Sequence, residues 1–365
     1  MADVLYFSRD TKVFVEIGAN VWELPVLDGF SFSQATNATE ITLNEMSDSA
    51  GNSRRSRQMF TDSYAPAEWS FATYARPFVS AGTGTGAADD AANHHAVEEV
   101  LWAMLVGDAN YASSTFTGFD ADTTDLDINF DSSNKVTLGV ANIYFVMGAC
   151  NPNATKTIYK IEGAVVNEAG VTFDIDGITT INWSGFGKII QEVATAPAAT
   201  ITEAVTSTSN FIRNRLTSLA ISSTLPTTAT YDVVLTGGSL TITNNLTFLT
   251  PETLCVVNQP LGHVTGTRSI SGSFTAYLNA EANSTADLFE NIIEGTSVVT
   301  NDFDLLFKVG GNLTPRIEFA MPHCHLEVPT HSIEDVIAVE VNFHALPSTI
   351  SETDELTIKY VGASA

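Results

Sequence analysis

Two short helical patterns stand in a chain otherwise written in strand periods. Lys12-Val13-Phe14-Val15-Glu16-Ile17, Val171 to Ile175 and Leu305 to Val309 alternate or run apolar at strand length. Thr, Val, Ile and Phe are abundant, as pleated sheets favour, and Pro and Gly punctuate the runs. Residues 97–106 predict a helix, with Val100, Leu101, Met104 and Leu105 on one stripe and Gly107 at its end. Residues 285–294 predict a second, with Leu288, Phe289, Ile292 and Ile293 on its stripe. Ser284 and Asp287 form its capping signal and Gly295 stops it. Each stripe implies packing on a sheet face.

The pattern occurs twice. Ser70-Phe71-Ala72-Thr73-Tyr74 reappears as Ser273-Phe274-Thr275-Ala276-Tyr277, each ahead of a helix. Ile181-Asn182-Trp183 and Val341-Asn342-Phe343 close the two halves, and Val21 to Gln34 resembles Tyr231 to Asn244. Several matches in one order indicate duplication. The expected fold is mainly β: two tandem, similar β-sandwich or half-barrel domains, each with one packed α-helix. They span residues 1–195 and 210–365, joined by an Ala/Thr/Pro/Ser-rich linker at 196–209. The first copy carries insertions: a polar excursion at 44–64, a Gly/Ala/Asp stretch at 79–93 and an acidic, Thr-rich stretch at 108–134. Loops of this length are usually functional or ordered against a neighbour.

With 365 residues the chain has room for two cores. Its charge is unusual: 42 acidic residues against 16 Lys and Arg, a net charge of −26. Such a surface repels phosphates, which argues against sequence-specific DNA binding but suits a surface that DNA slides past. The N-terminal residues have no secretory pattern, and no apolar run approaches membrane-helix length. Cys150, Cys255 and Cys324 are odd in number and far apart, and read as reduced thiols in a cytosol. Asn-X-Thr/Ser triplets such as those at Asn37, Asn245 and Asn312 carry no glycosylation expectation without a secretion signal.

Candidate chemistry is sparse. Arg54, Arg55 and Arg57 form the one basic cluster. They read as a solvated loop tip, as a docking finger that pairs with carboxylates of another subunit, or as an anion contact. His323-Cys324-His325 places two imidazoles on one face of a strand, without an evident third metal ligand. Asp120, Asp122, Asp125, Asp127 and Asn129 lack the Gly turn and closing Glu of a calcium loop. His94-His95 with Glu98 and Glu99 is a helix N-terminal turn, not a metalloprotease motif. Gly82 to Gly86 has no following Lys-Thr/Ser and is no phosphate loop. No nucleophile elbow or catalytic Cys context appears, so no enzyme, cofactor or metal is expected.

The order of elements resembles the tail tube proteins of long-tailed bacteriophages: strand pair, long polar loop, strand, helix, closing strands. Leu27-Asp28-Gly29-Phe30-Ser31-Phe32-Ser33-Gln34, leading through Glu40 to Arg54-Arg55, resembles their hairpin and stacking loop. Gly266 to Phe274 resembles the strand before their helix. Duplication departs from the usual single-domain form and resembles the rarer fused form that builds rings from three subunits. The resemblance implies that inner sheets join into a β-barrel around a channel, and that stacked rings form a negatively lined tube for DNA ejection. It implies residues 44–64 as the stacking loop, with Arg54, Arg55 and Arg57 at the inter-ring contact. Implied partners are the chain itself, a tape measure protein and a tail terminator; viral DNA passes without sequence-specific binding. The implied location is the virion tail, assembled in the host cytoplasm. Two alternatives remain open: another tail component of the same fold, such as a completion or baseplate hub protein, and a bacterial surface β-protein or adhesin.

Overall fold

The computed structural model describes residues 6–41, 49–52, 58–82, 91–107, 110–112, 115–130, 138–148, 156–197, 203–294, 301–333 and 336–363. Strands and helices are numbered along the chain. The first half contains β1 (Lys12–Ile17), β2 (Asn20–Leu24), β3 (Ser31–Glu40), β4 (Met59–Tyr74), β5 (Pro77–Val79), β6 (His94–Ala96) and α1 (Glu99–Val106). It continues with β7 (Tyr111–Ala112), β8 (Thr115–Phe116), β9 (Phe119–Ala121), β10 (Leu126–Asn129), β11 (Ala141–Met147), β12 (Thr157–Phe173), β13 (Thr180–Gly187) and β14 (Ile189–Val193). The second half contains β15 (Ser218–Leu225), β16 (Ala229–Asp232), β17 (Leu235–Thr243), β18 (Thr247–Leu249), β19 (Gly262–Val264), β20 (Ser269–Tyr277) and α2 (Thr285–Glu294). It ends with β21 (Asp302–Val309), β22 (Arg316–Leu326), β23 (Thr330–Ser332), β24 (Ala338–Ala345) and β25 (Thr357–Val361). The protein is mainly β and its sheets are antiparallel.

One large sheet organises the molecule. Its central order is β3-β4-β13-β12-β17-β20-β24. Alternation decides which face each side chain takes: β24, Ala-Val-Glu-Val-Asn-Phe-His-Ala, buries Val339, Val341, Phe343 and Ala345 and exposes Glu340, Asn342 and His344. Cross-strand rows on the inner face, such as Phe71, Trp183, Ala169, Ile242 and Ile270, fill the core. Gly272 serves one such row, because a Cβ there would lie 2.6 Å from the Phe343 ring. The N-terminal part of β12 leaves this sheet at Gly163, whose φ of +63° suits glycine, and joins a smaller sheet with β11, β1, β2 and β14. In the second half, β22 likewise pairs with β21 along its length and with β25 and β24 in turn on its other side.

The helices differ from their expected form. α1 starts at Glu99, not at residue 97, and all eight of its residues are buried. It is enclosed, not amphipathic; Trp102 meets Trp183 edge to face at 4.7 Å. Gly107 closes it in the left-handed conformation, as its position predicts. α2 spans the expected residues. Its Asp287 carboxylate accepts from the Asn283 N–H at 2.6 Å, but the Ser284 hydroxyl donates to the Asn279 and Glu281 carbonyls and does not cap the first turn.

The insertions also differ. In 108–134, the described residues form β7 to β10 in place of a loop, and β10 pairs with β25 from Leu126↔Tyr360 to Asn129↔Thr357. The polar excursion 44–64 ends earlier than expected, because β4 already begins at Met59.

Candidate assembly surface

The outer face of the large sheet is written almost wholly in small polar residues. Register aligns Ser31, Ser70, Ser184, Glu168, Thr243 and Ser269 in one cross-strand row. A second row runs through Ala72, Asn182, Gly170, Thr241, Ser271 and His344, and a third through Tyr74, Thr180, Thr172, Ser239, Ser273 and Asn342. Ser31 and Ser70 share a hydrogen bond at 2.9 Å, and Ser239 and Ser273 one at 3.4 Å. β3, β4, β13, β17, β20, β24 and residues 165–173 of β12 contain no Lys or Arg. Glu168 within the first row, with Glu68 and Glu340 on the same face, makes this face negative by sequence.

The halves are joined within this sheet. β12 pairs with β17 from Glu168↔Thr243 to Phe173↔Gly238. Among the described residues the outer edge of β3 carries no ladder, since β3 pairs with β4 alone, and the outer edge of β23 carries none, since β23 pairs with β24 alone. The edge of β23 has a definite polarity. Leu346 N–H donates to the His323 carbonyl at 2.7 Å and Glu327 N–H to the Asn342 carbonyl at 2.9 Å, so even-numbered residues of β24 face β22 and β23. His331 stands opposite Val339, and its own N–H and C=O therefore point outward.

A buried polar knot fixes the joint from behind. The Arg76 guanidinium donates to Asn210 Oδ1 (3.2 Å) and to the carbonyls of Ala204 (2.7 Å), Val205 (2.8 Å) and Ser207 (3.0 Å), and lies 4.8 Å from the Phe211 ring centre. The Arg76 N–H donates to the Glu98 carboxylate, which also accepts from Tyr360 Oη at 2.7 Å; Trp102 Nε1 donates to that same hydroxyl at 2.7 Å. Burial pushes the Glu98 carboxyl up to about 7, against the lowering effect of Tyr360 and Arg76. The knot ties the turn between β4 and β5, the start of α1, the 204–211 segment and strand β25 together.

The residues singled out in the sequence fall as follows. Arg54, Arg55 and Arg57 lie outside the described residues. His323 Nδ1 meets Asp302 at 3.1 Å; Cys324 is buried, and burial raises its thiol well above the usual range; His325 is the cross-strand partner of His344, which meets Glu327 at 3.2 Å. His323 and His344 each pair with a separate carboxylate, and among the described residues no group of three metal-ligating side chains converges here. Asp125 and Asp127 are engaged by Lys359 Nζ at 3.3 and 2.8 Å, and the Asp122 carboxylate caps its own turn at Thr124 and Asp125. That acidic run docks the C-terminal strand. His94 Nδ1 accepts from the Gly362 N–H at 2.8 Å, and His95 meets Glu99 at 3.0 Å. Sequence reasoning missed Arg76 and the loop 246–264. The available signals were an Arg in an apolar strand end before Pro77, and the run Leu254-Cys255-Val256-Val257 between Pro251 and Pro260.

A sheet polar on one face and open at two edges defines a β-protein that can be extended by other strands. A model of the phage tail tube protein family matches residues 26–345. The chain is 31% identical over 376 aligned residues to the tail tube protein pb6 of Escherichia phage T5, with 99% of this chain and 76% of that protein covered. The chain belongs to the phage tail tube protein family and is a structural protein of the virion tail.

Proposed function

We propose that the chain carries two copies of one tube domain, residues 1–195 and 210–365 joined through 196–209, and that three chains close a pseudo-sixfold ring. The observation that carries this reading is the β12–β17 ladder, which in this reading is the joint between the two copies within one chain. β3–β4 corresponds to β17–β20, β12–β13 to β22–β23–β24, and α1 to α2. With Ser70 matched to Ser273, the ladders match Ser184 to Asn342, so the closing strands are offset by two residues from the sequence pairing of Asn182 with Asn342. An even offset keeps every side chain on its face. By the same correspondence β23 stands where the end of β12 stands, and β3 of the next chain stands where β17 does. Ser332, His331 and Thr330 then face Ser31, Phe32 and Ser33 of the next chain. Ile333, 82% exposed, holds the position where Phe173 is 3% exposed against β17.

Three chains present six such sheets, and closure removes the open edges. The Ser/Thr/Asn rows with their Glu residues then line the channel. Such a wall offers phosphates no counterion release, and DNA passes without being held. Rings stack into the tube, which meets a tape measure protein and a tail terminator and assembles in the host cytoplasm. The role is structural, without catalysis. Cryo-electron microscopy of assembled tubes tests the reading: three chains per ring with the polar rows inward is expected, and six chains per ring or a channel lined by Lys and Arg refutes it.

Arg54, Arg55 and Arg57 are proposed to contact the next ring. Exchanging all three for Glu is expected to raise the protein concentration needed for tubes severalfold, with ring formation unchanged. Desolvated interfacial ion pairs carry such an effect and rim pairs do not. Tubes forming at the parental concentration and salt would remove the Arg loop from the interface.

A further inference from the structure

We propose that the two halves of the chain are fastened by a pair of imidazole clasps, at His94 and His263, that hold while the rings are neutral and open in acid. Leu138 N–H, ahead of β11 in the first half, donates to His263 Nε2 in β19 of the second half at 2.8 Å. Gly362 N–H, just after β25 in the second half, donates to His94 Nδ1 in β6 of the first half at 2.8 Å. A backbone N–H only donates, so each accepting nitrogen must be bare. An imidazolium has no bare nitrogen, so neither bond survives protonation. Among the described residues these are the two backbone N–H groups bonded to imidazole, and both bonds cross between the halves. His95, His323 and His344 instead meet Glu99, Asp302 and Glu327, partners that favour a charged ring. Both clasps lie within one chain, so they operate whether or not rings form as proposed above.

Each ring is enclosed. His94 and His263 are both buried, and burial pushes both below their ordinary value of 6.5. Lys188, in the turn between β13 and β14, pushes His263 the same way. The surroundings of His94 are mixed: the Thr123 backbone, Asp125 and Asp122 favour the charged ring, His95 opposes it, and burial outweighs them. Lys359 engages Asp125 and Asp127, Glu99 engages His95, and Glu98 is engaged by Tyr360 and Arg76. The folded chain therefore holds the two protons less tightly than the unfolded chain. Each clasp contributes fully above pH 6.5 and is lost as pH falls through the lowered folded value. What the clasps hold is local. Among the described residues β18 and β19 pair with each other alone, so the hairpin depends on side contacts such as His263 and the Phe248–Phe186 ring pair at 6.0 Å. Gly362 packs on the Phe78 backbone with no room for a Cβ, and Ala363 bridges Phe78. Acid therefore loosens the β18–β19 hairpin and the chain beyond β25, while the β12–β17 ladder stays closed.

Amide hydrogen exchange, followed by NMR in the full-length unassembled chain and corrected for the intrinsic pH dependence of an open amide, tests the clasps. Between about pH 7.5 and about pH 5, protection at the Leu138 and Gly362 amides is expected to fall roughly tenfold or more, while the amides of the β12–β17 ladder keep theirs. Global unfolding would blur the effect, because protonation of Glu98 shifts stability the opposite way. His263→Gln combined with His94→Asn places an amide oxygen where each accepting nitrogen stands, and neither amide titrates. Protection in that double variant should stay level over the same range. In the parent, the ring nitrogen chemical shifts of His94 and His263 should report protonation at the pH where protection is lost, a readout that stands even if the double variant fails to fold. Protection that stays level in the parent, falls equally in the double variant, or is lost while both rings are still neutral would overturn the clasps. A fall at one of the two amides alone would overturn the pair.

Discussion

His331→Pro is expected to abolish ring closure while leaving the chain folded. The substitution is chosen from backbone direction. The β23–β24 ladder uses Thr330 and Ser332, opposite Glu340 and Ala338, whereas the His331 N–H points away from β24. Proline there removes no internal hydrogen bond, and its fixed φ is compatible with a strand edge. It removes an outward donor and places a ring in the path of any incoming strand. The internal loss is limited to the His331 contact with the Phe289 ring, centred 5.0 Å away. In the proposed assembly the same residue pairs with Phe32 of the next chain, at the middle of the joint. Sedimentation of the purified variant should therefore give monomers with parental circular dichroism and thermal midpoint. Rings of parental size would show that β23 is not the joining edge, and an unfolded variant would be checked with His331→Lys, which keeps the backbone donor and should still close rings.

The joining edge was not legible in the residues, because it depends on which strands pair, but several of the elements were. The period-2 runs gave β1 at Lys12–Ile17 and located β21, and the capping region and stripe gave α2 at Thr285–Glu294. These signals are local, and local chemistry decides them. The misses share one cause: their partners are distant in sequence. Leu126-Asp127-Ile128-Asn129 reads as an acidic loop because the strand it pairs with, β25, lies more than two hundred residues downstream. α1 reads as amphipathic from its stripe Val100, Leu101, Met104 and Leu105, yet Glu98 and Glu99 at its start are buried too, against Arg76 after β4, His95 of β6 and Tyr360 of β25. The candidate assembly surface was legible as composition, in the scarcity of Lys and Arg. Its layout was not, since the rows exist only once seven strands are in register.

The Arg76–Glu98 knot sets the largest expected effect on folding. Arg76→Met leaves Asn210 and the carbonyls of Ala204, Val205 and Ser207 without their donor in a buried setting, and leaves Glu98 without its nearby cation. Breaking a buried charged cluster by removing one partner costs about 3–5 kcal/mol, and denaturant unfolding should show a loss of that order. Glu98→Gln tests the other side of the knot through pH. The folded carboxyl titrates at about 7, above its ordinary value of 4.5, because burial disfavours the ionised form. The folded state therefore holds this proton more tightly than the unfolded chain. Its stabilising contribution is fully present below pH 4.5 and is lost as pH rises through 7. A shift of this size corresponds to about 3 kcal/mol. The parent should thus lose stability relative to Glu98→Gln between pH 4.5 and 8, with the difference between the two curves levelling off above pH 8. Parallel curves across that range would mean that Glu98 keeps its charge when folded, stabilised by Arg76 and Tyr360 strongly enough to overcome its burial.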